Sequence, residues 1–301
     1  MANLTLIDIA KLSGNDTAVP LIEESIKSHP ETALLPSRTI KGTQYKTLIR
    51  EALPTVAFRN VNEGATTVKA RYGQRIVETF IMDVPVECDK AAADANEDGA
   101  AAVLALEAQT MLEASFRHVA SQVWYGVTND AKGFPGMKAT VDSSMVVDAT
   151  GSTGSTTTIW AVRLGGNGVS FVVGRDGAIT VSDVKEVRLT DGNDNPYDGY
   201  RQNILAYIGM QVTNIKAFAC IKNVEDVTGK RTSDSLLYKL LETFPAGAGP
   251  DVIFMSKLAR RLWRESRTAT NPTGMPAPYP ETFEGVRIAV TDMLTTSETA
   301  W

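Results

Sequence analysis

Small and apolar side chains recur at three- and four-residue steps between Asp98 and Trp124: Leu104, Ala108, Met111, Leu112, Ser115, Val119 and Val123. That period puts them on one face of a helix, with Glu107, Glu113, Arg117 and Gln122 largely elsewhere. Ala100 to Leu106 is rich in strong helix formers, and no proline intervenes before Pro135. The spacing predicts a rod roughly 40 Å long, packed along a sheet and organising the rest of the chain.

Upstream, Leu4, Ile7, Ile9 and Leu12 suit one short amphipathic turn and Pro20 to Lys27 a second, closed by Ser28-His29-Pro30. Isolated helices below about 12–15 residues are marginal, so residues 1–36 read as an arm that needs another surface. Residues 41–84 read as a long β-hairpin. Tyr45, Thr47 and Ile49 alternate with Lys46, Leu48 and Arg50, Thr55 to Arg59 extend the run, Asn62-Glu63-Gly64 turns it, and Arg75 to Met82 returns. Its distal half, Arg59 to Arg75, has few large apolar residues and no core of its own. A two-stranded ribbon is marginal in water, so this projection is expected to find its burial on sibling copies.

Beyond the rod, Asp130 to Met137 forms a Gly- and Pro-punctuated turn in which Phe134 can plug the rod's end. Asp142 to Thr158 reads as a Ser/Thr/Gly-rich loop. Short strands follow at 159–164, 169–173, 178–181, 184–189, 210–213 and 215–221, making a β-rich block. Ser233 can cap a helix carrying Leu236, Leu237, Leu240, Leu241 and Phe244. A strand at 252–255, a helix from Lys257 to Arg267, a proline-rich loop to Pro280 and a strand at 286–290 complete an α/β unit. The predicted division is an arm (1–36), an extended loop (37–86), a domain with the long helix (87–150), the β-rich block (151–228), an α/β unit (229–292) and a tail (293–301).

Charge sharpens this picture. From Lys41 to Arg75 there are seven basic residues against two acidic ones, inside a chain of formal charge −5. From Asp83 to Glu113 there are eight acidic residues against Lys90 alone. A basic ribbon followed by an acidic rod suggests that one copy's ribbon lies on another's rod, with charge setting register. The expected intersubunit contacts are Arg59, Asn60, Asn62, Glu63, Lys69, Arg71 and Arg75 on the ribbon and Asp94, Glu97 and Asp98 on the rod; a solvated basic hairpin is the bland alternative. Lys257, Arg260, Arg261, Arg264 and Arg267 form a second basic face at helical steps. It reads either as a solvated face with local ion pairs or as a contact with DNA or an acidic neighbour.

Catalytic chemistry is hard to place. His29 and His118 are the only histidines and neither has a partner at metal-ligand spacing, so no zinc site or other cofactor is expected. Gly229-Lys230-Arg231-Thr232 lacks the preceding glycine of a phosphate loop. Asp94 to Gly99 begins like a calcium loop but has Ala105 where the bidentate glutamate belongs, and Asp191 to Pro196 fails the same test. Gly151-Ser152-Thr153-Gly154 is one residue short of a nucleophile elbow. Cys88 and Cys220 are too few for a disulfide scaffold and fit free thiols in a reducing cytosol. No apolar run approaches the roughly 20 residues that span a bilayer, and no membrane partner is expected.

The order of these parts resembles the major capsid protein of tailed bacteriophages, the coat fold of the Hong Kong ninety-seven type, an α+β fold. The segments that carry the likeness are Lys132 to Met137 after the spine, Ser155 to Arg163, Gly209 to Val212 followed by Cys220 to Asp226, Pro250 to Ser256, and Phe283 to Asp292. The resemblance implies a non-enzymatic shell protein forming hexamers and pentamers of an icosahedral head around double-stranded DNA, bound without sequence specificity. It implies assembly in a bacterial host's cytoplasm, a separate scaffolding protein because the arm is short, a portal, and in some relatives decoration proteins. An encapsulin nanocompartment shell shares the fold. A cytosolic α/β enzyme acting through carboxylates is the reading from another class.

Overall fold

The computed structural model describes residues 28–52, 54–97, 99–177, 179–269 and 275–301. The two amphipathic turns expected before Ser28, Asp98, and the start of the proline-rich loop lie outside the described residues. After a helical turn at Glu31–Leu34 come β1 (Ser37–Thr39), β2 (Gln44–Ala52), β3 (Arg71–Glu78) and β4 (Phe80–Asp89). The rod is α1, Gly99–Tyr125, within a residue of the span its periodicity predicts. Then follow β5 (Val146–Asp148), β6 (Thr157–Val162), β7 (Val169–Val173), β8 (Thr180–Val181), β9 (Lys185–Thr190), β10 (Pro196–Val212) and β11 (Phe218–Val224). The last part comprises α2 (Asp234–Glu242), β12 (Val252–Met255), α3 (Lys257–Ala269), β13 (Thr282–Phe283) and β14 (Val286–Val290).

Two six-stranded sheets hold the body. In the first, β10 is the organiser: it pairs with β4 along one edge, and with β9, β8 and β7 in turn along the other, while β1 extends the sheet from β7. The second runs β13-β14-β12-β6-β11-β5. The β-rich block of the sequence is therefore not a unit. Its strands are shared between the sheets, and β6 and β11 pair into the sheet that holds β12 and β14, across the boundary expected at 228. The reason lies in β10. Tyr197 to Asn203 is polar and does not alternate, so only its last residues read as a strand, yet partners on both edges satisfy its backbone. The Ser/Thr/Gly-rich stretch also contributes structure: β5 pairs parallel to β11, and Thr156, Thr157 and Thr158 are buried.

Alternation on β6 explains how two cores share one strand. Trp160 and Val162 face the cluster under α1, while Ile159 and Ala161 face the cluster under α2 and α3. Trp124 at the rod's end stacks on Trp160, with ring centroids 6.1 Å apart, and tilts against Phe254 at 5.1 Å. Aromatic pairs of this kind add about 0.5–1.5 kcal/mol each beyond area burial. The turn after the rod closes tightly because Gly126, at φ +53°, and Gly136 touch backbone to backbone; a Cβ on Gly136 would come within 2.3 Å of the Gly126 nitrogen. Phe134 is buried there, its carbonyl accepting from Gln122 Nε2 at 2.9 Å. The tail is strapped down: Glu298 exchanges two backbone hydrogen bonds with Thr156 and its carboxylate accepts from Tyr125 and Thr158 hydroxyls.

Candidate functional site

β2 and β3 form a separate two-stranded ribbon, with Tyr45 opposite Val77 and Thr47 opposite Arg75. The return strand ends at Glu78, not Met82. Thr79 breaks it, its N–H and hydroxyl both donating to the Thr43 carbonyl at 2.9 and 2.8 Å, and β4 turns away to join β10. The ribbon's base rests on its own chain. Val77 is buried, the Tyr45 hydroxyl donates to Gln211 Oε1, and Arg75 Nη1 donates to the Val212 carbonyl at 2.7 Å. Arg75, expected at an intersubunit contact, is thus also anchored within its own subunit.

Among its described residues, the stretch 54–70 has no strand or helix. Its turn is self-contained. Arg59 Nη1 donates to the Glu63 carbonyl at 2.7 Å, the Asn60 N–H donates to Glu63 Oε2 at 3.0 Å, and Asn62 takes the left-handed conformation at φ 65°. Arg59, Asn60, Asn62 and Glu63 thus come together in one turn at the tip, and Lys69 stands exposed farther along. Phe58 is fully exposed, and Val56 and Val61 are 84% and 90% exposed. The charge count did not single these three out. Their signal was the alternation Val56, Phe58 in a segment with no core to serve.

The acidic residues sit at the far end of β4. Asp94 lies in the short helix Lys90–Asp94, where its Oδ1 accepts from the Tyr200 hydroxyl at 3.1 Å, and Glu97 is exposed in the turn that follows. Because β4 has ten residues, this turn and the ribbon's base are about 30 Å apart at ~3.3 Å per residue. Between them runs a groove of about 470 Å3 along α1 and β4, floored by Phe80, Met82, Met111, Val119, Phe134 and Ile208. Asp83, His118, Asp130 and Lys132 rim it. The Lys132 N–H and His118, 3.4 Å away, hold the Asp130 carboxyl below its usual range.

The second basic face is spent inside the chain. Lys257 Nζ pairs with Asp292 at 2.8 Å, and Arg261 with Asp226 at 2.8 Å and Glu265 at 2.9 Å. Arg267 Nε donates to Asp234 at 3.0 Å. Arg260 and Arg264 donate to the Pro280 and Ala277 carbonyls at 2.8 and 2.9 Å and flank the Tyr279 ring, fixing the proline-rich loop to α3. Hydrogen bonding to Arg261 keeps the Asp226 carboxyl well below the usual range.

No group of three His, Cys, Asp or Glu among the described residues could hold a metal. Burial pushes the Cys220 thiol up to about 12, so it is inert at neutral pH. No helix among the described residues is long and apolar enough to cross a membrane.

The comparisons agree with a structural role. A chain of the near-atomic structure of bacteriophage Epsilon15 is similar in fold, with a TM-score of 0.67, 20% identity and 88% of each chain covered. The bacteriophage JBD30 procapsid matches at a TM-score of 0.49 and 12% identity over 95% of this chain and 99% of the other. The SrpI encapsulin of Synechococcus elongatus matches at 0.46 and 11%, over 67% and 89%. No curated protein sequence matches. The sequence profile of the family described as major capsid protein GP7 matches residues 37–301. With its spine helix, projecting ribbon and two shared sheets, this chain belongs to that family of tailed-phage major capsid proteins and has its coat fold.

Proposed function

We propose that copies of this chain close into hexamers and pentamers of an icosahedral head, each copy's ribbon tip lying over the long helix of the next. The observation that carries this reading is the tip itself: Val56, Phe58 and Val61 are almost fully exposed there, with no burial in their own subunit. The groove between α1 and β4 is a matching receiver. It is apolar at its floor, large enough for an aromatic ring, and rimmed by Asp83 and Asp130, which suit Arg59 and Lys69. Arg71 of the ribbon and the acidic residues that precede the rod in sequence, Asp94, Glu97 and Asp98, extend the same charge match between copies. Coulombic complementarity of exposed groups sets register and selects partners more than it adds affinity.

The head so built encloses double-stranded DNA without sequence specificity. With the cations of α3 already matched by Asp226, Asp234, Glu265 and Asp292, that helix is left to stabilise the subunit rather than to hold phosphates. A separate scaffolding protein, a portal and decoration proteins are the partners such a shell takes, and the host cytoplasm is where it assembles. The test is negative-stain microscopy of the overexpressed protein beside a variant with Arg59→Glu, Lys69→Glu and Arg71→Glu. Shells are expected from the first and folded, unassembled subunits from the second. Normal shells from the variant would remove the charge-matched contact.

A further inference from the structure

The chain enters its body through residues 28–36, which are wedged between the end of α1 and the loop after β14. The Ser28 carbonyl accepts from the Asp292 N–H at 2.9 Å, the Pro36 carbonyl from Phe171 at 2.9 Å, and Leu35 lies fully buried in the core under α1. At the centre of this wedge is Glu31, which has no exposed surface. Its Oε1 accepts from Trp124 Nε1 at 2.7 Å, while Oε2 is enclosed with no hydrogen bond of normal geometry. The Thr291 hydroxyl faces the carboxyl group, and the Asp292 carboxylate adds like-charge repulsion. No cation faces it among the groups that act on its charge. A buried carboxylate in such a setting is costly, because neither a counter-ion nor water replaces its hydration.

We propose that Glu31 is a protonation-controlled latch, holding residues 28–36 against the end of the long helix as the neutral acid and loosening them as the carboxylate. Burial pushes its carboxyl up to about 7, with hydrogen bonds from Thr291, its own backbone N–H and Trp124 pulling the other way. The sign follows from linkage. A carboxyl whose folded value is raised gives up protons on opening, so the closed wedge loses stability as pH rises above the ordinary carboxylate value, until the folded value is passed. His29 guards the acid side. It is buried, its Nδ1 lies 3.2 Å from Thr32 Oγ1, and burial lowers its pKa, with Arg117 repelling and Glu113 attracting its charged form. Rising pH only favours its neutral form further, and the Glu31→Gln variant keeps His29, so the difference between the two proteins reports Glu31.

The test is hydrogen exchange of the amides of Ala33, Leu34 and Leu35 in the full-length protein, corrected for intrinsic rates, with Glu31→Gln beside the native chain. Opening of the native wedge should rise about tenfold from pH 6 to pH 9, and that of the glutamine variant by less than about twofold. A flat native profile, or the same rise in both proteins, overturns the proposal. An infrared titration of the native chain needs no variant: a protonated-carboxyl band should disappear around pH 7, and its absence at pH 6 has the same force.

Discussion

Two stretches of this chain are strongly basic, and the structure uses them in opposite ways. Along α3, Lys257, Arg261 and Arg267 meet carboxylates of the same subunit, and Arg260 and Arg264 fix a neighbouring loop through its carbonyls. Along the ribbon, Arg75 anchors the base to Val212, whereas at the tip Arg59 and Asn60 bond to Glu63. Both faces look alike as a pattern of Lys and Arg. What separates them is whether complementary groups lie within reach in the same subunit, and sequence spacing does not report that. The apolar residues make the same contrast. Around β6 and β12 every strand position is buried, whereas Val56, Phe58 and Val61 stand in solvent. Those exposed apolar residues are what the proposed contact between copies would cover.

The contrast can be broken at several points. Replacing Val56, Phe58 and Val61 with serine together should abolish particles that pellet on ultracentrifugation, while the subunit's thermal unfolding stays within about 0.5 kcal/mol of the parent, as surface substitutions do. Trp124→Ala should do the reverse. Removing the ring that packs on Trp160 and Phe254 is expected to cost about 3–5 kcal/mol in denaturant unfolding of the subunit, with assembly lost only as folding fails. Lys69→Glu with Arg71→Glu should slow assembly most at low salt, with the defect shrinking as ionic strength rises and exposed charges are screened. Its signature in light scattering is a salt-dependent rate rather than a changed end point. The smallest effect belongs to α3. Arg261→Ala removes half-exposed pairs with Asp226 and Glu265, which are worth about 0–1 kcal/mol, and should leave particle yield and nucleic-acid content unchanged.

Much of this architecture was legible from periodicity, and its failures have physical causes. The rod was visible because its apolar residues repeat at helical spacing from Leu104 to Val123, and α2 because Ser233 caps a leucine stripe, accepting from the Leu236 N–H. β14 was visible as Val286 to Val290. β10 was not, since a strand hydrogen-bonded on both edges needs no alternation of its own to be stable. Missing it merged two sheets into one block and let β4 pass for the ribbon's return strand. At the candidate site, the charge count did not foresee the internal anchor of Arg75, because a guanidinium's partner can be a carbonyl that no charge count includes. Phe58 and its neighbours were underweighted for a related reason: three apolar residues are too few to form a core, yet enough to form a contact. Glu31 left no trace in pattern, since a buried acid looks like any other glutamate until its surroundings are known.

The account rests on residues 54–70 completing their burial on another copy. Hydrogen exchange of that stretch, compared between assembled shells and subunits dissociated from them, tests this directly. The backbone of 54–70 should exchange freely in the subunit and be protected by orders of magnitude in the shell, with β6 and β12 unchanged between the two states. Equal protection of 54–70 in both states would contradict it, because the tip would then have found its partner within its own chain.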